Sequence, residues 1–301
     1  MRKGVKISLW VALCFILTGM ITIAVGGSML GFDFTKMDTV TYIERNESVE
    51  DDFTEIEIDC DSVDVTVLSS PDGECRVESK LNRDFGYSMT VENGKLRIEY
   101  EADAWYRHLY IHYVRTHITL YLPKEQYDSL NLKLQSGDIT VRSLQFEKTE
   151  IDNCSGDVNV KGCTGGSFDI ETTSGDVMLQ DIKASGMLSA RTTSGDLGAI
   201  NLMAQSVSLT VGSGDVEMNE VAAEEDMTLK TTSGDITFMY VDAKTLDVKT
   251  TSGDVEGSLL SGKNFDAKAT SGDVHVPRSD YSAGVCKVRT TSGDIDIKVI
   301  S

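Results

Sequence analysis

The sequence predicts an all-β chain: a right-handed parallel β-helix of about nine coils of 19–20 residues, with a β-rich N-terminal cap and one N-terminal transmembrane helix. Three observations predict it. Ser-Gly-Asp recurs at Ser136, Ser155, Ser174, Ser194, Ser213, Ser233, Ser252, Ser271 and Ser292, at spacings of 19, 19, 20, 19, 20, 19, 19 and 21 residues. Apolar and polar residues alternate before each copy, and an aliphatic residue follows each Asp. Repeats of this length are single supersecondary units that gain a core only by stacking on their neighbours.

The chain begins with residues 7–30, which carry no charge, behind Arg2, Lys3 and Lys6 and ahead of Asp33 and Asp38. That length suffices to cross a bilayer, and the basic flank places the N-terminus in the cytoplasm and the bulk of the chain outside. A cleaved signal peptide is the rival reading, because Ala24-Val25-Gly26 offers small residues at a cleavage position. Cys14 resembles a lipoprotein processing site, except that Leu13 stands where a small residue is needed. The expected organisation is a cytoplasmic tail (1–6), a cell-membrane anchor (7–30), a linker (31–50), a β-rich cap (51–127) and the solenoid (128–301).

In the cap, Ile56, Ile58, Val63, Val65 and Val67 alternate with polar residues, and Ser62-Val63-Asp64-Val65 reads as a decayed turn copy. Glu92-Asn93-Gly94-Lys95 reads as a hairpin turn. Such a segment would cover the open end of the solenoid.

Within a coil, apolar pairs stand six and four residues before each Ser: Phe168 and Ile170, Val207 and Leu209, Leu246 and Val248, Phe265 and Ala267. Period-two alternation marks a strand with one buried face. Ile139, Val158, Val177, Leu197, Val216, Ile236, Val255, Val274 and Ile295 follow the Asp, and a third apolar row runs Leu144, Cys163, Ile182, Leu202, Val221, Val241 and Leu260. Each coil is therefore strand, turn, strand and a returning bend. The turn glycines Gly137, Gly156, Gly175, Gly195, Gly214, Gly234, Gly253, Gly272 and Gly293 supply a positive φ that other residues resist. Coils stacked at ~4.8 Å bury the aliphatic rows in a tube, and nine of them span on the order of 40 Å. Right-handed winding follows from the hand of parallel crossovers. A β-propeller needs blades of about 40 residues, and odd and even copies here are alike.

A formal charge of −20 argues against nucleic acid as a partner, since phosphate binding needs an excess of Lys and Arg. The turn residues Asp138, Asp157, Asp176, Asp196, Asp215, Asp235, Asp254, Asp273 and Asp294 would stack into a ladder. Neighbours about 5 Å apart repel by roughly 3 kcal/mol at an effective dielectric near 20, and by less than about 1 in water. The row is therefore wet, bonded to backbone amides, or holding cations. Turn capping explains it; the minority reading is a calcium ladder over Asp176, Asp196, Asp215, Asp235, Asp254 and Asp273, although calcium sites draw several oxygens from one locality. The pairs Thr172-Thr173, Thr192-Thr193, Thr231-Thr232, Thr250-Thr251 and Thr290-Thr291 would form hydroxyl-bonded ladders or a flat array for a glycan.

Of six cysteines, Cys163 and Cys286 fall in buried rows, Cys154 replaces a turn-flanking Thr and Cys14 lies in the membrane segment. Cys60 and Cys75 remain as a candidate disulfide. His108, His112 and His117 lie among Trp105, Tyr106, Tyr110 and Tyr113; no Cys or carboxylate spacing completes a zinc site there. No nucleophile elbow, phosphate loop or metal motif occurs, and the acids fall one per coil, unlike the clustered carboxylates of glycan-cleaving enzymes. No catalytic residue, resident metal or cofactor is assigned.

The Thr-Thr-Ser-Gly-Asp-Val/Ile copies at Thr172 to Val177 and Thr231 to Ile236, together with the membrane segment, resemble the bacterial putative-adhesin family of unknown function, which includes LiaG-like envelope proteins. The resemblance covers about residues 50–301. It implies a β-helical cell-surface or envelope domain, in some members tied to envelope-stress systems, and brings no catalytic residues. The first functional reading is a non-enzymatic, membrane-anchored, extracytoplasmic scaffold that presents its solenoid to an envelope protein or cell-wall glycan. The alternatives are an accessory or sensory component of such a system, or a glycan-acting enzyme.

Overall fold

The computed structural model of the protein describes residues 15–25, 28, 41–83, 85–101, 115–123 and 126–300. Residues 15–25 are helical and exposed. Among the described residues no helix is long and apolar enough to cross a membrane. The remainder of the span expected at 7–30 lies outside the described residues, residue 28 excepted.

The solenoid begins earlier than residue 128. After β1 (Tyr42–Ser48), strands β2 (Glu55–Ser62) and β3 (Asp64–Ser69) meet at the decayed turn. The chain then leaves the stack through β4 (Arg76–Asn82), passes the hairpin of β5 (Gly86–Glu92) and β6 (Lys95–Glu101), and reaches β7 (His117–Leu122). Asn93 and Gly94 turn that hairpin with φ of 54° and 77°, as a type I′ turn requires. β2 lies between β6 and β8 (Gln126–Ser136), parallel to both. β3 likewise lies between β7 and β9 (Ile139–Arg142). The segment expected to be only a cap thus supplies two solenoid levels. The true cap is antiparallel: β5 along β6, and β4 between β7 and β1. β1 occupies part of the expected linker. Behind this cap, Leu96, Ile98, Tyr100, Ile118, Leu120 and Leu122 of the outermost level are fully buried.

Parallel stacking continues through β10 (Gln145–Ser155), β11 (Val158–Lys161), β12 (Thr164–Ser174), β13 (Val177–Ala184), β14 (Met187–Ser194), β15 (Leu197–Ala204) and β16 (Ser206–Ser213). β17 (Val216–Ser233) and β18 (Ile236–Lys249) each run on from one coil into the next. The predicted inward rows are buried along the stack, Cys163 and Cys286 included. Apart from Leu260, the exceptions lie at the C-terminal end, where Phe265 and Ala267 are only partly buried and Val274 is 39% exposed because no further level among the described residues covers them.

At the C-terminal end the stacking order departs from chain order. After β19 (Val255–Leu259), the chain lays β20 (Asn264–Ser271) and β21 (Val274–His275) at the outermost level. It then returns to slot β22 (Val285–Ser292) and β23 (Ile295–Val299) beneath them. β22 pairs with β18 on one side and β20 on the other, and β23 lies between β19 and β21. The Ser271 and Ser292 coils are therefore inverted in space.

Leu260 is corrected by one residue: Leu259 is buried and Leu260 is 51% exposed. Earlier coils hold one residue at positive φ seven places after the Ser: Ser143, Gly162, Asp181, Asn201, Glu220 and Tyr240, between 53° and 66°. Leu259 occupies that place in the next coil without a positive φ. The bend is one residue shorter, and Leu259 faces Val241 across the ladder.

Candidate functional site

Two surfaces follow from this frame. The first is the ridge of Ser-Gly-Asp turns. Its glycines have φ between 125° and 149°, and their Cα atoms pack against the backbone of the level before. A Cβ built on Gly214 would lie 2.2 Å from the Gly195 carbonyl oxygen. Beside them each Asp carboxylate accepts the backbone N–H of the Asp one level on. These bonds measure 2.7–3.1 Å and run in the spatial order Asp64, Asp138, Asp157, Asp176, Asp196, Asp215, Asp235, Asp254, Asp294, Asp273. An ionised acceptor on an amide donor is among the stronger hydrogen bonds, so each turn clamps the next.

The Thr pairs divide their roles. Thr172, Thr192, Thr231, Thr250 and Thr290 are buried, and their hydroxyls donate to glycine carbonyls one level back at 3.0–3.4 Å. This replaces the expected hydroxyl-to-hydroxyl ladder. Their neighbours Thr173, Thr193, Thr232, Thr251 and Thr291 are exposed. Among the described residues no three His, Cys, Asp or Glu side chains converge on a point that could hold a metal. Cys60 and Cys75 are free thiols, which corrects the expected pair. His108 and His112 lie outside the described residues, and His117 is exposed at the start of β7.

The second surface was not anticipated. Where each coil bends back, Gly165, Ala184, Ala204, Ala223 and Ala243 stack in register along the axis. They floor a groove of about 840 Å³. One rim runs Gln126, Gln145, Thr164, Lys183, Met203, Ala222 and Asp242, also in register. Seven levels at ~4.8 Å make it roughly 29 Å long. The same row begins with the buried aromatics Tyr127 and Phe146 and shrinks to Gly and Ala from Gly165 onward, where the groove opens. The signal was present: an Ala or Gly stands ten residues after five consecutive Ser positions. It is weak because alanine fits either face of a strand.

An apolar hollow of about 430 Å³ adjoins that rim, lined by Leu202, Met203, Val221, Ala222, Tyr240 and Leu260. Met203 is 54% exposed and Tyr240 42%. Asn201 and Glu220 edge the same hollow, and methionine is a side chain that adapts to varied partners.

The C-terminal end of the groove is closed by a charged cluster. The Lys263 ammonium, nearly buried, donates to Asp242 Oδ1 at 2.6 Å and to Ser261 Oγ at 2.7 Å, while Ser261 Oγ donates to the same carboxylate oxygen at 2.7 Å. Burial pushes the Asp242 carboxyl up, but the bonds from Lys263 and Ser261 outweigh it and hold the group below the usual range. The Ser261 hydroxyl is thereby held between the Asp242 carboxylate and the Lys263 ammonium.

This architecture coincides with a family match that spans residues 53–240 and 185–301, to the model described as Toastrack DUF4097. The chain belongs to the Toastrack DUF4097 family. A solved chain of like fold is the crystal structure of a putative adhesin from Bacteroides fragilis, 14% identical, covering 87% of this chain and 99% of that one at a TM-score of 0.50. A putative adhesin from Parabacteroides distasonis is 12% identical and covers 86% of this chain and 98% of that one at a TM-score of 0.39. No curated protein matches the chain. At these identities the likeness speaks for the fold alone.

Proposed function

We propose that this Toastrack solenoid is a non-enzymatic, adhesin-like scaffold of the bacterial envelope, which binds an envelope protein or cell-wall glycan through its alanine-floored groove. The observation that carries the reading is the groove itself, in register over seven levels and edged by exposed Met203, Tyr240 and Leu260. The Asp row, in contrast, is bonded within the fold. In this reading the uncharged segment 7–30 anchors the chain, the N-terminus is cytoplasmic, and the tube winds right-handed.

Photo-crosslinking in intact cells tests it. A photoreactive residue at Met203 or Lys183 is expected to yield a discrete adduct, and one at Thr232 on the turn ridge is not. Equal adducts from groove and ridge, or none from the groove, would count against it. An adduct with a membrane protein only under wall stress would favour the accessory role in a stress system.

A further inference from the structure

The two ends of the tube are finished differently. At the N-terminal end the inward residues of the last level are fully buried under antiparallel strands. At the other end Phe265, Ala267 and Ala269 are only partly buried, although Cys286, Val288 and Thr290 directly beneath them in register are buried. Among the described residues no strand pairs with the outer edge of β20. Ser279, on the returning loop, takes the Phe265 N–H at 3.0 Å and reaches its carbonyl at 3.5 Å. Because backbone groups alternate along a strand, Ala267 and Ala269 turn theirs to the same outer side, where such an edge is a template for another strand.

We infer that a second copy of this chain closes this end, with β20 of each copy paired antiparallel about Ala267. The charges select both partner and register. Centred on Ala267, the pairing sets Lys268 of each copy opposite Asp266 of the other, on two non-hydrogen-bonded sites where side chains approach most closely. Arg289 already holds the Asp266 carboxylate by an ion pair, which fixes it for that contact. Centred one residue later, the pairing would set Lys268 against Lys268, a repulsive arrangement. The two Ala267 residues exchange backbone hydrogen bonds, and Ala269 meets Phe265 of the second copy once Ser279 turns aside. The partly buried side chains of both copies then form one continuous core, and the join is two-fold symmetric and closed.

Register-specific crosslinking of the full chain, purified in mild detergent with Cys154→Ser as background, tests this. In the proposed register residues 266 and 268 of opposite copies have Cα atoms about 4.5 Å apart, within disulfide reach. Two residues 266, or two residues 268, are roughly 8 Å apart and out of reach. An oxidised mixture of Asp266→Cys and Lys268→Cys chains is expected to give a disulfide dimer, and neither variant alone should. Independently, Lys268→Asp should weaken dimerisation in sedimentation at least tenfold while leaving the far-UV circular dichroism of the chain unchanged, and its melting temperature should lose the rise with protein concentration that the wild type shows. Crosslinking by Lys268→Cys alone, no crosslink in the mixture, or a wild-type chain that stays monomeric at all concentrations would overturn the inference.

Discussion

The carboxylate of Asp254 accepts the backbone N–H of Asp294 at 2.7 Å across 40 residues of sequence, while Asp273, only 19 residues on, sits one level further out. That bond is the signature of the inserted last coil. Among the described residues β20 has no ladder partner except β22, so the outermost level depends on a segment made after it. Deleting residues 285–301 should abolish amide protection across 264–275 and leave β10 to β16 protected in hydrogen exchange. Retained protection in β20 would show that it stacks directly on β18.

Gly214→Ala should cost on the order of 2–3 kcal/mol, since it combines a disfavoured backbone conformation with a Cβ placed 2.2 Å from the Gly195 carbonyl oxygen. Gly73→Ala should cost less in the same denaturant titration, because nothing lies within 4 Å of its added Cβ. Equal losses would mean that φ alone, not the stacking of turns, demands glycine.

Thiol labelling separates the cysteines by environment. Burial pushes the Cys286 thiol up to about 12 and Cys75 to about 11, and raises Cys60 and Cys163 as well. Cys154 is exposed on the turn ridge. At pH 8 the folded chain should lose one equivalent of rapid labelling on Cys154→Ser, whereas Cys163→Ser should leave the rapid phase intact.

The groove-end cluster has an acid signature. The Asp242 carboxyl is depressed in the fold, so its stabilising effect is present above its ordinary value of 3.8 and is lost as pH falls through the lower folded value. Asp242→Asn should therefore lower the melting temperature at pH 6, and its deficit should shrink as pH falls below about 3.8. A deficit independent of pH would mean that the carboxylate contributes by shape alone.

The architecture was legible because the inward positions repeat chemically: Val177, Leu197, Val216 and Ile236 announce one buried row, and the Ser-Gly-Asp turn fixes its phase. What stayed hidden was set by geometry rather than residue type. The second bend is a left-handed residue that is Ser, Gly, Asp, Asn, Glu or Tyr in different coils, so composition carries no mark of it, and Leu260 was misplaced. The inverted last coils depend on which edge is free when β22 arrives; only the 21-residue spacing and Pro277 hinted at it. The alanine floor was visible as a row but not as a concavity, because an alanine in a strand fits a flat face equally well.

The central claim is that the Asp row belongs to the fold, each carboxylate clamping the next turn, and that the binding surface lies elsewhere. Thermal unfolding of single Asp→Ala variants at Asp176, Asp196, Asp215, Asp235 and Asp254, each with calcium and with a chelator, tests it most directly. The account predicts a similar loss of about 1.5–3 kcal/mol at every position and no difference between the two conditions. A melting temperature that rises with calcium in the wild type, and ceases to rise when one Asp is replaced, would contradict it.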